Sequence, residues 1–156
     1  MALAGVSTLG LTLSYGIEPS SGTKPSAFTR LNRINSIGGI SIEPETIDAS
    51  ALEDLVERSV AGRASSGGGQ FTIGVNVTDE TIEELEEMQQ AYEDKGNDVR
   101  MWFQISSPYI TKAWFVAGQP PLVLPMPAFD QNALLTNEIP ITIDEYIGLD
   151  TKVEVA

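Results

Sequence analysis

The stretch around which the chain is organised is residues 38–70, GGISIEPETIDASALEDLVERSVAGRASSGGGQ. Apolar and polar residues alternate over residues 40–43, which predicts a half-buried strand that ends at Pro44. A turn rich in carboxylates follows, and the stretch ends in the glycine run 67–69, whose backbone freedom is unsuited to a compact core. We therefore predict that residues 45–70 form a long loop held outside a β-sheet.

The middle of this stretch is open to two interpretations. Ser50 and Glu53 have the spacing of a helix capping box, and the apolar residues up to Val60 fit one helical face. The glycine run follows almost at once, which favours an extended chain. We expect one helical turn near residues 50–55 and an extended remainder, and the sequence leaves open whether residues 51–61 are helical or extended.

The next two segments give the clearest secondary-structure signals. Residues 71–77, FTIGVNV, alternate strictly and predict a strand with one buried face. Residues 79–95 place apolar side chains at helical spacing with glutamates on the other sides, which predicts one long amphipathic helix. Thr81 and Glu84 have capping-box spacing near its start, and a lysine followed by Gly96 suits its end. The apolar stripe of this helix is Ile82, Leu85, Met88 and Tyr92.

Further strands are predicted on both sides of these segments. Alternation over residues 99–105 and 112–117 indicates a hairpin, and residues 139–143 indicate another strand. Residues 27–34 show a weaker strand pattern. Residues 118–127 contain four prolines, which cannot donate to a full ladder, so they are expected at a sheet edge or in a loop.

We predict a single domain that spans residues 1–156. Its two ends are predicted to be extensions of that domain. Residues 1–25 mix small and polar residues and end in PSSGTKP, which is typical of an arm or a long loop. Residues 148–156 are predicted to be a polar tail. The predicted fold class is mostly β: a β-sandwich of about seven strands with one flanking helix, extended arms and a long loop.

Composition narrows the possible partners. The chain has 22 acidic and 9 basic residues and a formal net charge of −13, which opposes binding to phosphates or to anionic lipid. Its apolar runs are shorter than the roughly 20 residues that cross a bilayer, so membrane insertion is not expected. The first residues include no lysine or arginine, and a signal peptide is not expected there.

The residue types restrict catalysis. Histidine and cysteine are absent, which excludes imidazole bases, thiol nucleophiles and most zinc sites. A carboxylate hydrolase remains an alternative, but 22 acids produce suitable pairs by chance. Asp94, Asn97 and Asp98 lack the ligand spacing of an EF-hand and suit the end of a helix instead. We therefore predict no catalytic residue, no metal site and no cofactor.

A second alternative belongs to a different class of function. Trp102, Trp114 and Tyr109 lie within the predicted hairpin, and exposed aromatic side chains are a common platform for sugars. The chain would then be an acidic β-sandwich module that binds a carbohydrate or a protein. Regular strands more often bury such residues in the core.

The order of features resembles the major tail tube proteins of long-tailed, non-contractile bacteriophages. The resemblance rests on an acidic turn ETIDAS-x-LED, an extended V-x-R-x-VAG stretch, the glycine-rich loop, the FTIGVNV strand and one acidic helix. It covers residues 28–143. It implies a non-enzymatic structural subunit whose hexameric rings stack into a hollow, negatively charged tube through which DNA is ejected.

The resemblance also implies partners, a location and two sets of residues. Partners would be other copies of the chain and the tail tape measure, tail terminator and tail-tip proteins, while DNA would pass without specific binding. The protein would be made and assembled in the bacterial cytoplasm and located in the virion tail. The implied inter-subunit loop includes Glu45, Asp48, Leu52, Asp54, Val56, Arg58, Val60, Gly67, Gly68 and Gly69. The candidate lumen-facing residues, from strand alternation, are Ser41, Glu43, Glu45, Thr142 and Asp144.

Overall fold

The computed structural model describes residue 5 and residues 10–39, 43–51, 55–56, 59–65 and 69–154. These residues form nine strands and one helix: β1 (Thr12–Ile17), β2 (Thr29–Leu31), β3 (Ile34–Ile37), β4 (Glu43–Asp48), β5 (Ser59–Ser65), β6 (Gln70–Asn76), α1 (Asp79–Asp94), β7 (Met101–Ser106), β8 (Lys112–Gln119) and β9 (Thr136–Thr151). Seven strands form one antiparallel sheet in the order β2-β1-β7-β8-β9-β6-β3, and β4 pairs with β5 in a separate sheet. The prediction of a mostly β fold with one helix is confirmed.

The seven-stranded sheet curls so that its two ends face each other as two layers, with β7 in one layer and β6 in the other. Phe71 of β6 and Phe103 of β7 have ring centroids 6.3 Å apart, although β8 and β9 lie between their strands. Three strand spacings in a flat sheet would separate them by about 14 Å. The two outermost strands, β2 and β3, are joined by Asn32 and Arg33 alone, and Arg33 has a φ of 60°. The weak strand predicted over residues 27–34 is therefore split at this corner, where the chain passes from one layer to the other.

Strand β9 makes the opposite corner. Its first half pairs with β6, and its second half pairs with β8. Two register shifts against β8 leave Asp144 and Ile147 without opposite partners. Bulges of this kind bend a strand and increase its twist, which lets β9 belong to both layers. The strand predicted over residues 139–143 is present as part of this longer element.

Two apolar clusters pack on opposite faces of the β7–β8 part of the sheet. The larger cluster fills the space between the two layers and is covered by Leu85 and Met88 of α1. The smaller cluster lies on the outer face and joins Trp102 and Phe115 to Phe28, which lies before β2. Both faces of these central strands are therefore buried, which explains why hydrophobic residues stand at consecutive positions in β7 and β8.

The predicted N-terminal arm contains a strand of the sheet. Residues 12–17 form β1, which pairs with β2 and β7, and the side chains of Leu13 and Tyr15 are buried in the larger cluster. Ser14 is buried as well, and it accepts a hydrogen bond of 3.3 Å from the Gln104 amide. The assignment of residues 1–25 to an arm is therefore wrong for residues 12–17. Ser14 is polar but buried, and it interrupts the apolar pattern from which a strand would be predicted.

The predicted C-terminal tail is also attached to the sheet. Strand β9 continues to Thr151, and Val153 packs against the smaller apolar cluster. The backbone N–H of Val153 donates to the Gln104 side chain at 2.8 Å, and the Gln104 amide donates to the Val153 carbonyl at 2.9 Å. Residues 148–151 are therefore part of the sheet, and Val153 packs on its outer face instead of extending away from it.

Helix α1 has the predicted position but a different N-terminal cap. Thr78 is the N-cap residue, and its hydroxyl accepts from the Thr81 backbone N–H at 3.3 Å while the Thr81 hydroxyl accepts from the Thr78 backbone N–H at 2.8 Å. The predicted capping box of Thr81 and Glu84 is wrong. The Glu84 carboxylate instead accepts from the Asn32 backbone N–H at 2.9 Å and so ties the helix to the β2–β3 corner. Among the described residues no helix is long and apolar enough to cross a membrane.

The predicted loop 45–70 contains a β-hairpin. Strand β4 begins at Glu43 and continues through Pro44, which differs from the predicted strand that ends there. Proline is tolerated because both strands of a two-stranded sheet have a free edge, and the register shifts between Pro44 and Thr46. Of the segment 51–61, residues 59–61 belong to β5 and are extended, while residues 52–54 and 57–58 lie outside the described residues.

Candidate assembly surfaces

The β4–β5 hairpin is an arm that carries apolar residues at its end. Its ladder runs from the Glu43–Ser65 pair to the Asp48–Ser59 pair and is about 20 Å long. Within the described part of the chain neither strand pairs with the seven-stranded sheet. Leu55 lies in the connection beyond the ladder and is fully exposed, and the adjacent Val56 is 75% exposed. Two adjacent large apolar side chains in water are costly unless a partner covers them.

The structure locates part of the residue set that was predicted for the inter-subunit loop. Val56 lies in the exposed connection, and Gly69 lies at the return to the sheet, where its φ of 75° suits glycine. The Gly69 carbonyl accepts from the Ile143 backbone N–H at 2.6 Å, which fixes the base of the arm to β9. The residues found in the hairpin strands are Glu45, Asp48 and Val60. The residues that lie outside the described part of the chain are Leu52, Asp54, Arg58, Gly67 and Gly68.

A second apolar surface lies on the segment between β8 and β9. Residues 120–135 contain no helix or strand, as the prolines predicted for its first part. Five of its large apolar side chains are between 68% and 83% exposed. Residues 125–130 and 133–138 line an open groove of about 510 Å³, whose lining includes Asp130 and Glu138 as well as apolar side chains. The five exposed side chains are Leu122, Val123, Met126, Phe129 and Leu134.

The outer face of the β6–β9 layer is polar. Phe71, Ile73, Ile139 and Ile141 point into the core, so the residues that alternate with them occupy the opposite face. That face contains one carboxylate and no lysine or arginine. Its polar members are Gln70, Thr72, Asn76, Thr136, Glu138 and Thr142.

The candidate lumen-facing residues do not lie on a single strand. Thr142 is exposed on the polar face of β9, and Asp144 is exposed at the adjacent bulge, where it accepts from the Gln119 amide at 3.2 Å. Glu43 and Glu45 lie in β4, which belongs to the hairpin and not to the larger sheet, and Ser41 lies outside the described residues. The lumen-facing assignment of Glu43 supposed that its strand belongs to the main sheet, and this is wrong because β4 pairs with β5 alone among the described strands.

The outer side of α1 forms an acidic surface. Its first turn begins with Asp79 and Glu80, where negative charge is favoured by the helix dipole. The side chain of Tyr15 lies beneath the helix, and burial together with the nearby Glu87 and Glu84 carboxylates raises the pKa of its phenol. Glutamates also line an exposed depression on this side of the helix. These exposed carboxylates give the outer side of α1 a solvated negative surface that repels other acidic surfaces.

An ion pair with a buried carboxylate lies at the N-terminal end of β7. It was not predicted from the sequence. The Glu18 side chain is fully buried, and it accepts from the Arg100 backbone N–H at 2.7 Å and from the Trp102 indole N–H at 3.0 Å. The Arg100 guanidinium also contacts Glu18 at 3.4 Å and donates to Glu145 at 2.6 Å. Burial acts to raise the pKa of Glu18, but the hydrogen bonds from Arg100 and Trp102 outweigh it and hold the pKa below its ordinary value.

The three aromatic residues of the alternative binding platform are not brought together on one exposed surface. Trp102 is buried in the smaller cluster, whereas Trp114 lines a separate cleft with Ile105 on the opposite face of the sheet. Tyr109 is 53% exposed in the turn between β7 and β8. Within the described ranges there is also no group of three or more acidic side chains placed to hold a metal ion.

Comparison with known proteins places the fold among tail-particle structures. A chain of the anti-feeding prophage (AFP) tube-terminating cap matches with a TM-score of 0.63 and 14% identity, over 97% of this chain and 95% of that one. A chain of the six-fold symmetrised AFP baseplate matches with a TM-score of 0.54 and 12% identity, over 97% of both chains. No protein-family model and no curated protein matches the sequence. At these identities the matches establish the fold alone.

Proposed function

We propose that this protein is a non-enzymatic structural subunit of a phage-like tail, in which copies close into hexameric rings and the rings stack into a tube. The observation that carries the proposal is the fold, which matches the AFP tube-terminating cap over nearly the whole of both chains. The second match comes from a baseplate assembly with six-fold symmetry. The subunit would assemble in the bacterial cytoplasm, become part of the particle's tail and contact the tape measure, terminator and tail-tip proteins.

The surfaces of the chain support a role in assembly. The hairpin extends an apolar end into solvent, and residues 120–135 expose five large apolar side chains. The hairpin strands contain six and seven residues, whereas the outermost strands of the main sheet contain three and four. Free strand edges pair readily with other chains, so the hairpin offers the longer edges for joining copies.

We further propose that the polar face of β6 and β9 lines the lumen of the tube. Where β6 and β9 pair, it offers hydroxyl and amide groups, one carboxylate, Glu138, and no lysine or arginine, and Asp144 at the adjacent bulge of β9 adds a second carboxylate. DNA releases counterions when it binds rows of lysine or arginine, and this face provides none. A net charge of −13 on each copy repels the same polyanion. DNA would therefore pass such a wall without specific binding, with Thr142 and Asp144 among the residues that it passes.

Electron microscopy tests the proposal directly. The purified protein should form rings or hollow tubes with six-fold end views as its concentration is raised, and negative staining would reveal them. Analytical ultracentrifugation on the same samples would follow the loss of monomer. A protein that stays monomeric at millimolar concentration, and after addition of a preformed tail-tip complex, contradicts the proposal.

A tube-terminating cap is a second candidate, favoured by the higher TM-score of the cap match. A cap subunit would form rings that do not stack. A tube subunit would form tubes whose length increases with protein concentration. The same microscopy experiment therefore separates the two roles.

A further inference from the structure

An apolar cleft lies between helix α1 and residues 120–127, a segment that we call the strap. The strap is tied down by two hydrogen bonds: the Gln89 amide donates to the Pro121 carbonyl at 2.7 Å, and the Asn137 amide donates to the Pro125 carbonyl at 2.8 Å. The cleft beneath it has a volume of about 150 Å³. An apolar cleft that stays open among the described residues is a usual sign of a binding surface. The apolar side chains that line it include Val75, Val77, Ile82, Leu85 and Leu124.

The side of α1 that borders this cleft is acidic. Ile82 lines the cleft and is 38% exposed, so the site is open to solvent. Asp79 and Glu86 lie three residues before and four residues after Ile82, which makes them its neighbours on the helix surface, and both are exposed. A partner for this site therefore needs one bulky apolar group with positive charge beside it.

The turn between β7 and β8 has this chemistry. Tyr109 is 53% exposed, and its backbone N–H donates to the Ser107 hydroxyl at 3.3 Å, which fixes the turn. Lys112 follows at the start of β8 and is exposed. Lys152 lies against the same turn, because its ammonium donates to the Ser107 carbonyl at 2.7 Å. The turn therefore presents one aromatic ring beside two lysines.

The cleft and the turn lie at opposite ends of β9. Asn137 lines the cleft and is the second residue of β9, whereas Lys112 pairs with Thr151, the last residue of that strand. A strand rises about 3.3 Å per residue, so even a bent strand of this length keeps the two surfaces too far apart to meet within one copy. Each copy therefore offers the cleft at one end and the turn at the other.

We propose that the β7–β8 turn of one copy docks in the cleft between α1 and the strap of a second copy, with the Tyr109 ring inside the cleft. The two lysines beside the turn then face Asp79 and Glu86 of the second copy. A cavity of about 150 Å³ lined by apolar side chains holds one benzene molecule, so a cleft of this size suits one tyrosine ring.

This contact rests on the proposed assembly of copies into rings or tubes, and it defines two of the surfaces that meet there. It is head-to-tail, because a turn meets a cleft and not another turn. A free turn remains at one end of each pair and a free cleft at the other, so the contact continues from copy to copy until a ring or a stack closes. The acidic side of α1 repels another helix and attracts the lysines, which favours this orientation.

Cysteine cross-linking tests the contact, because the natural chain contains no cysteine. The test protein is the double variant Thr111→Cys with Met126→Cys, which keeps the Tyr109 ring and places the cysteines on the turn and on the strap. The matched control is Thr111→Cys with Asp98→Cys, since Asp98 is exposed in the connection between α1 and β7. Both are treated with a short bis-maleimide reagent under assembly conditions. Denaturing gel electrophoresis measures the products, and microscopy before denaturation records rings and tubes.

The expected result is a ladder of dimers, trimers and larger products for the test protein and little product for the control. Rings or tubes with equal products from the two variants would overturn the contact and leave the proposed function standing. A ladder without rings or tubes would support the contact and contradict the proposed function. Neither a ladder nor rings or tubes would contradict both.

Substitution of the aromatic residue gives a second measurement. Tyr109→Ala should raise the concentration needed for assembly by about tenfold to a hundredfold, because an aromatic side chain that fills a pocket contributes much of the binding free energy of an interface. Tyr109→Phe keeps the ring and should assemble nearly as the natural protein does. Circular dichroism confirms that both variants are folded. Equal effects of the two substitutions would overturn the contact.

Charge reversal tests the rim of the cleft. Lys112→Glu and Glu86→Lys should each raise the concentration needed for assembly by about fivefold to thirtyfold, because repulsion replaces a surface ion pair. The combined variant should return close to the natural value, since opposite charges face each other again. Lys112→Glu combined with Asp98→Lys is the control and should show no recovery. Equal recovery in the two combinations, or none in either, would refute the proposed orientation.

Discussion

Replacing Glu18 by alanine should destabilise the fold by about 2–4 kcal/mol. The Glu18 carboxylate is the acceptor for the buried Trp102 indole N–H and for the Arg100 backbone N–H. An indole N–H left without a partner costs about 1–3 kcal/mol, and a lost hydrogen bond to a charged group costs about 1.5–3 kcal/mol. The Arg100 side chain is 32% exposed, so water solvates its guanidinium when the carboxylate is removed. The total cost therefore stays below the sum of the two values.

The control for this prediction is the other carboxylate that binds the same arginine. Glu145 is 57% exposed, and its contact with the guanidinium is a surface ion pair worth about 0–1 kcal/mol. Glu145→Ala should therefore cost much less than Glu18→Ala. Urea unfolding followed by tryptophan fluorescence measures both free energies, at protein concentrations below those of assembly. A Glu18→Ala protein within about 0.5 kcal/mol of the natural one, or equal costs for the two variants, would refute the reasoning.

The same pair gives a pH dependence of defined sign. The pKa of Glu18 is lower in the folded chain than its ordinary value. Its ionised form therefore stabilises the fold above the unfolded pKa of about 4.3, and this contribution disappears as the pH falls through the folded pKa. Glu18→Gln carries no titrating group at this position. The difference in unfolding free energy between the natural protein and Glu18→Gln should be constant above about pH 5 and should shrink below about pH 4.

Three further predictions concern the lumen, the helix cap and the β9 corner. Asp144→Lys should leave tubes intact but slow DNA ejection from reconstituted particles, whereas Glu93→Lys on the helix should leave ejection unchanged; equal ejection rates would contradict the assigned lumen. Thr78→Ala removes the N-cap hydroxyl of α1 and should lower the unfolding free energy by about 1 kcal/mol in urea, so a loss under about 0.3 kcal/mol would contradict the cap. Gly118→Ala should cost about 1–3 kcal/mol because its Cβ would lie 2.7 Å from a backbone carbonyl oxygen, whereas Gly39→Ala meets no atom within 4 Å and serves as the control in the same assay.

The sequence predicted the elements in which one periodicity dominates. Residues 71–77 and α1 each bury one face, so their apolar residues recur with the period of a strand or of a helix. The hairpin of β7 and β8 was predicted for the same reason. The prolines of residues 118–127 predicted a loop or a sheet edge, but the sequence did not show that the apolar residues of this segment are exposed. Exposure depends on what the rest of the chain covers.

Strand β1 was missed because both of its faces are covered. Leu13 and Tyr15 face the core, while on the other face Ser14 accepts from the Gln104 amide and Gly16 lies beneath the segment that leads to Phe28. A Cβ at Gly16 would meet the carbonyl oxygen of Ala27 at 2.5 Å, so close passage of that segment requires glycine. Small and polar residues were therefore taken as evidence of an arm, although here they allow the chain to pack over the strand.

The distribution of charge on the described surface helps select which faces meet in an assembly. Helix α1 exposes most of its carboxylates, whereas residues 120–135 include one charged residue, Asp130. Two copies that approach through their helices place like charges together, which costs free energy and buries little apolar area. Two copies that approach through the hairpin end and residues 120–135 remove apolar side chains from water while the helices stay apart. The acidic helix therefore disfavours contacts between helices and leaves contacts through the exposed apolar side chains favourable.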